Sequence, residues 1–368
     1  MEDRSLKMDT LRGKRFFFIL TRLELGGAER QSFLLAQHLK QYYGADVRVF
    51  GLQGEQGCLA EMCKEAGIPC NSLKLGSMRS RLEWIRALLR FAWFMRRGKP
   101  DLLISYTKKA NIFSALAWRV SGAIGCIWNQ ADEGLGMQRE LASRLAVSLA
   151  PCFISNSLGG RSFLQSSFGI PDSRVTVIHN GISLLPSFTT RKEWRKSNGI
   201  SDDEYVVCMV ANLSRFKDQA TLLRAWKQVL HLAAPQRPIL LLAGRFDGTE
   251  RDLVTIVDEL ELGDRVRFLG CVTDISGLLG AVDLFAFSSR SEGLPNSVVE
   301  AMAAGLPVVG TDIPGIREAL GPDGISFLAP PSDSECLAQK IFGLMTEPGL
   351  SQEYGGKLRC RAAKEFAL

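Results

Sequence analysis

The feature that most restricts the fold of this chain is a repeated alternation of short β-type runs with longer helical patterns, broken once near residue 186. Strand-like runs at Arg15 to Leu20, Asp46 to Gly51, Asp101 to Ser105, Ile124 to Asn129, Cys152 to Ser155 and Val175 to Ile178 are separated by amphipathic stretches. That rhythm predicts parallel strands, because parallel neighbours need a crossover of a dozen or more residues, usually a helix. A polar segment, SFTTRKEWRKSNGISDDE, then interrupts it. Strands restart at Tyr205 to Ala211, Ile239 to Ala243, Val266 to Leu269, Leu284 to Phe287, Pro307 to Gly310 and Ile325 to Leu328. A chain of 368 residues also exceeds what one ordinary core organises. The expectation is α/β: two Rossmann-like, doubly wound parallel-sheet domains, residues 1–188 and 189–368.

Composition narrows the class. Hydrophobic residues are 46% and charged residues 23% of the chain, which excludes a disordered or fibrous protein. The sequence has no apolar run long enough to span a bilayer and no signal-peptide core before Phe16, so a cytoplasmic protein is expected. Nine scattered cysteines without a CxxC pair fit a reducing compartment. Cys58, Cys63 and Cys70 read as core or loop residues, and no metal or other cofactor is expected. The net charge of +6 is uneven: residues 1–190 carry 25 Lys and Arg against 15 Asp and Glu, while the remainder carries 20 against 24. A basic first half points to an anionic partner.

Three stretches can carry chemistry. After the first strand, Gly26 and Gly27 precede a helix, where glycine lets backbone N–H groups approach an anion such as a diphosphate. In the second half, Arg215 and Lys217 follow a buried strand, and their spacing in an extended loop would point both cations to one side. The sharpest stretch is SEGLPNSVVEAMAAG. There Glu292 lies in a loop, Gly293, Leu294 and Pro295 form a tight segment, Asn296 or Ser297 can cap the next helix, and Glu300 lies on that helix. Two carboxylates eight positions apart, half loop and half first turn, can reach one ligand.

This ordered set resembles the large retaining glycosyltransferase family of GT-B fold with an E-x7-E motif (glycosyltransferase group 1, family 4-like). The likeness runs from GGAER through FISNS, VIHNGI, ANLSRFKD, LLLAG, VRFLG and SEGLPNSVVEAMAAGLPVV to TDIPGIRE. The resemblance implies two domains facing each other across a cleft and transfer of a sugar from a nucleotide-diphosphate sugar, most commonly UDP-linked, with retention and without an obligatory metal. It places Glu292 beside the donor sugar and Glu300 on the ribose. It assigns Arg215, Lys217, Gly26 and Gly27 to the diphosphate, the backbone around Val272 to the base, and Gly293 to Ser297 to sugar and phosphate. Asp132 and Glu133, just after the fifth strand, are candidates to position or deprotonate the acceptor hydroxyl. His179 reads as structural. Family members often end in a helix crossing back onto the first domain, and this sequence ends at RAAKEFAL, so a shortened crossover is expected.

Residues 79–99 predict a helix with Arg79, Arg86, Arg90 and Arg97 along one face and apolar residues over the rest. Burying one side in the core would leave arginines and an aromatic edge for anionic lipid. With the basic first half, this suggests a lipid-linked, glycolipid or polysaccharide acceptor, as in lipopolysaccharide synthesis, at the inner face of the cytoplasmic membrane, and no nucleic acid. The rival readings are a nucleotide-sugar epimerase of similar fold and a non-catalytic sugar-nucleotide-binding scaffold.

Overall fold

The computed structural model describes residues 10–54, 57–76, 78–134, 141–182, 187 and 189–367. It divides into two compact units, Met1–Ile178 and His179–Leu368.

The first unit runs β1 (Arg15–Leu20), α1 (Gly27–Tyr43), β2 (Asp46–Gly51), α2 (Cys58–Glu65), β3 (Cys70–Ser72), α3 (Arg81–Gly98), β4 (Leu102–Tyr106), α4 (Lys108–Ser121), β5 (Gly125–Gln130), α5 (Leu141–Leu149), β6 (Cys152–Ser155), α6 (Leu158–Phe168) and β7 (Val175–Val177). Its strands form one parallel sheet in the order β3-β2-β1-β4-β5-β6-β7. The winding reverses between β1 and β4. Right-handed crossovers must therefore place α1 and α2 on one face and the later helices on the other. The cores follow: Phe16 and Phe18 are buried with Phe33, Ala36 and Leu59, whereas Phe17 and Ile19 are buried with Phe91, Phe113 and Ala146. Successive β1 side chains point to opposite faces, so one strand supplies both. The three-residue β3 escaped the sequence reading because Asn71 and Ser72 give it no apolar signature.

The second unit runs α7 (Arg191–Ser197), β8 (Val206–Val210), α8 (Gln219–Leu232), β9 (Ile239–Ala243), α9 (Glu250–Glu259), β10 (Val266–Gly270), α10 (Ile275–Ala281), β11 (Leu284–Phe287), α11 (Asn296–Ala303), β12 (Val308–Thr311), α12 (Pro314–Leu320), β13 (Leu328–Ala329), α13 (Ser334–Thr346) and α14 (Pro348–Glu365). Its parallel sheet has the order β10-β9-β8-β11-β12-β13, reversing between β8 and β11. The expected last strand is shorter and later. Residues 325–327 belong to a 3₁₀ turn begun by Pro322, and only Leu328 and Ala329 pair with β12.

The second unit begins before residue 189, the expected boundary. His179 Nε2 lies 2.8 Å from Glu318 Oε1, and the Ile182 N–H donates to the Phe366 carbonyl at 2.9 Å, which ties the connecting segment to α12 and the end of α14. Arg195 is fully buried in α7 and each of its guanidinium nitrogens donates, to the carbonyls of Ser201, Asp202, Glu204 and Ala281 and to Asp283. Such pairing, with a carboxylate among the acceptors, offsets the cost of burying a guanidinium. Helix α14 buries Tyr354, Leu358 and Ala362, and the Tyr354 hydroxyl donates to the Val308 carbonyl at 2.9 Å.

Candidate active site

Ligands of open α/β sheets bind beyond the carboxyl ends of the strands, where the winding reverses. In the second unit that point lies between β8 and β11. The loop after β8 carries Arg215 and Lys217; the loop after β11 carries Glu292. The fold thus brings together residues 75 positions apart: Lys217 Nζ forms an ion pair with Glu292 Oε1. The Glu292 side chain is 12% exposed and that of Lys217 22%. The Ser289 hydroxyl donates to the same carboxylate oxygen at 2.6 Å, and the Lys217 ammonium lies 5.2 Å above the Phe287 ring. Two donors on one oxygen, one of them charged, fix the position of this largely buried carboxylate.

The backbone beneath is clamped. The Thr311 hydroxyl, fully buried on β12, donates to the Ser289 carbonyl at 2.8 Å and accepts from the Ser289 N–H at 3.0 Å. Gly315, in the first turn of α12, touches the Glu292–Gly293 peptide. A Cβ at Gly315 would lie 1.7 Å from the Gly293 carbonyl oxygen, so only glycine fits. The next loop is stitched similarly: the Leu213 N–H donates to the Arg245 carbonyl at 2.8 Å, and the Thr249 hydroxyl donates to the Leu213 carbonyl at 2.5 Å. The Gly244 N–H donates to the Gly270 carbonyl at 2.8 Å, which joins this framework to the loop bearing the half-buried Val272.

Two local expectations change. The loop from Arg215 to Lys217 is not extended: the Lys217 N–H donates to the Ser214 carbonyl at 3.0 Å, closing a turn. Arg215 is left at the surface while Lys217 is drawn inward. Neither Asn296 nor Ser297 caps α11, because the helix begins at Asn296 with Pro295 as its N-cap. Asn296 Oδ1 instead accepts from Asn180 Nδ2 at 2.8 Å. Glu300 lies one turn into α11 and is 4% exposed, a burial that an ordinary surface acid would not tolerate.

In the first unit, Gly26 is the N-cap of α1 and Gly27 its first residue. The winding reversal between β1 and β4 is marked by a hydroxyl pair that sequence reading missed, Thr21 Oγ1 2.7 Å from Thr107 Oγ1. Thr107 adopts φ 75°, a conformation that only glycine adopts readily. Asp132 and Glu133 lie beyond β5, one strand further along. Asp132 Oδ1 accepts from the Gly134 N–H at 2.7 Å and from Gln130 Nε2 at 2.8 Å, a turn-holding role. The Glu133 carboxylate lies against Gly159 at the start of α6, where a Cβ would meet Oε1 at 2.6 Å. A helix N-terminus favours a carboxylate there.

Two family models match the chain in succession, one described as Glycosyltransferase Family 4 over residues 25–184 and one as Glycosyl transferases group 1 over residues 190–359. The structure is also similar to that of Anabaena HepE in complex with UDP-glucose, with a TM-score of 0.83 at 23% identity, covering 96% of this chain and 95% of that one. The chain belongs to the GT-B glycosyltransferases. It is 24% identical to an uncharacterised glycosyltransferase of Haemophilus influenzae over 93% of both proteins. It is 25% identical to a Campylobacter jejuni N-acetylgalactosamine-N,N'-diacetylbacillosaminyl-diphospho-undecaprenol 4-alpha-N-acetylgalactosaminyltransferase over 60% of this chain and 59% of that protein. Several other curated relatives are matched over only 44–60% of their own length.

Several residues of this glycosyltransferase that fix the site had no sequence signal of their own. Ser289, Thr311 and Gly315 act through contacts across β11, β12 and α12. Asp218 is buried directly after Lys217, accepts from the Thr221 hydroxyl at 2.8 Å and lies 3.6 Å from the Arg290 guanidinium. Only its position beside Lys217 could have singled it out.

Proposed function

We propose that the protein transfers a sugar from a UDP-linked donor to a lipid-linked or saccharide acceptor, with retention of anomeric configuration. The observation that carries this reading is the Lys217–Glu292 ion pair at the β8/β11 reversal, backed by Ser289. An ammonium that meets a diphosphate finds two negative charges in place of one, so donor binding would draw Lys217 away from Glu292. Glu292 is then free to accept hydrogen bonds from the donor sugar's hydroxyls.

We carry the remaining assignments over from the family resemblance and lay them out along the strands. From β10 to β11 there are three strand spacings, about 14 Å. The base is placed at Val272 beyond β10, the ribose on Glu300, the diphosphate between Lys217 and Arg215, and the sugar along the backbone of Gly293, Leu294, Pro295, Asn296 and Ser297. Gly26 and Gly27, at the start of α1, are assigned to diphosphate binding through their backbone N–H groups. Asp132 and Glu133 orient the acceptor hydroxyl. As the diphosphate departs, Lys217 and Arg215 stabilise the charge it gains.

Support for a UDP donor comes from the bound UDP-glucose of the structural relative, and for a lipid-linked acceptor from the diphospho-undecaprenol substrate named for the Campylobacter relative. The test is a thermal-shift panel of nucleotide-diphosphate sugars followed by turnover with lipid-diphosphate acceptors and proton NMR of the product. Stabilisation by UDP-sugars, release of UDP and an unchanged anomeric coupling are expected. Epimerised sugar without transfer would establish the epimerase reading, and binding without UDP release the scaffold reading.

A further inference from the structure

Helix α3 is apolar on two opposite sides. Ala87, Phe91 and Met95 are buried against the sheet, with Trp84 and Leu88 partly buried beside them. Yet Leu82, Ile85, Leu89 and Trp93 are between 50% and 67% exposed. At about 100° per residue these four occupy an arc of about 80°, centred opposite the buried face. Single exposed apolar side chains are ordinary, but a stripe of four along three turns is not. The Phe94 ring, beyond the stripe, lies edge-on to Trp93 at 5.1 Å. Arg96 Nη1 donates to the Val120 carbonyl at 3.0 Å, tying the stripe's end to a second exposed apolar pair, Val120 and Ile124.

The charges around the stripe are cationic except for Glu83, whose carboxylate is taken up by the N–H groups of Arg79 and Ser80 at the start of the helix. Arg86, Arg90 and Arg97 line one edge, Arg81 the other, and all four are exposed. Among the described residues no acid pairs with Arg86, Arg90 or Arg97; Arg97 lies 4.5 Å above the Trp93 ring. Arg79 stands just outside the helix, where its N–H donates to the Glu83 carboxylate that completes the N-terminal capping box with Ser80. A second copy of the chain would fit this face poorly, because a two-fold contact would bring the same arginines together. An anionic bilayer matches both parts, with acyl chains for the stripe and phosphates for its rim.

We infer that α3 docks the protein on anionic lipid bilayers, with Leu82, Ile85, Leu89 and Trp93 at the acyl boundary and Arg86, Arg90 and Arg97 among the headgroup phosphates. The aliphatic stripe, and not the arginine row alone, holds the protein to the surface. The inference draws on nothing in the donor site, and it adds to the transferase reading the surface where a lipid-linked acceptor is met.

The test is co-sedimentation of the full chain with vesicles of phosphatidylcholine, with and without phosphatidylglycerol, at low and high salt. The protein should pellet with the anionic vesicles alone and be released by salt. Leu89→Glu, and separately the pair Arg86→Glu with Arg90→Glu, should each lower the partition coefficient at least tenfold, on the order expected when a few basic or apolar contacts are lost. These positions are exposed, so thermal midpoints should move little, and UDP binding should be unchanged. Failure here would therefore leave the donor reading intact. Equal binding to neutral vesicles, no binding, or indifference to Leu89→Glu would overturn the inference. So would sedimentation equilibrium showing a lipid-free dimer that Leu89→Glu dissociates.

Discussion

The two sheets reverse their winding at equivalent places, between β1 and β4 in the first unit and between β8 and β11 in the second, but the loops at these points are differently equipped. In the second unit charged groups meet each other: Lys217 pairs with Glu292, Ser289 braces the carboxylate, and Thr311 and Gly315 fix the backbone. In the first unit the reversal carries two hydroxyls and a strained Thr107, and the acids Asp132 and Glu133 hold their own loop and the start of α6. Preassembled charge suits an invariable ligand group such as a diphosphate. Shape and hydroxyls suit a partner recognised by outline. One α/β architecture thus equips the same topological point differently in its two units.

The strongest way to break this contrast is to neutralise Glu292. Glu292→Gln should lower kcat at least a hundredfold, the size typical for removal of a group acting at the reacting centre. Next, Lys217→Ala should raise the UDP dissociation constant about tenfold to a hundredfold, because a charge-assisted contact is worth about 1.5–3 kcal/mol; isothermal titration measures it. Gly315→Ala should destabilise the second unit by about 1–3 kcal/mol through overpacking against Gly293, seen as a lower denaturation midpoint. The smallest effect belongs to the first unit. Asparagine preserves the acceptor oxygen of the Asp132 turn, so Asp132→Asn should keep kcat within about tenfold. A larger loss, on the scale of general base catalysis, would erase the contrast.

These residues also show how far the sequence could be read. Two parallel, doubly wound sheets follow from the alternation of strands and helices, whereas the order of the strands within each sheet came from the structure. The Glu292 and Lys217 assignments came from local motifs, and the fold brought the two into contact. What was illegible depends on through-space partners. Thr311 lies in an ordinary buried strand, and nothing near it in sequence announces a clamp on Ser289. β3 has three residues and no apolar pattern, and β13 is shortened by the Pro322 turn. On α3 the apolar residues were visible, but their division between a buried and an exposed side required the sheet against which Phe91 packs.

The central claim is that Glu292 and a donor diphosphate compete for Lys217. Titrating UDP into the wild-type protein and Glu292→Gln tests it most directly, with turnover measured on the same samples. The variant should bind UDP at least as tightly as the wild type while its turnover collapses. Weakened UDP binding in Glu292→Gln, or turnover that survives the substitution, would contradict it.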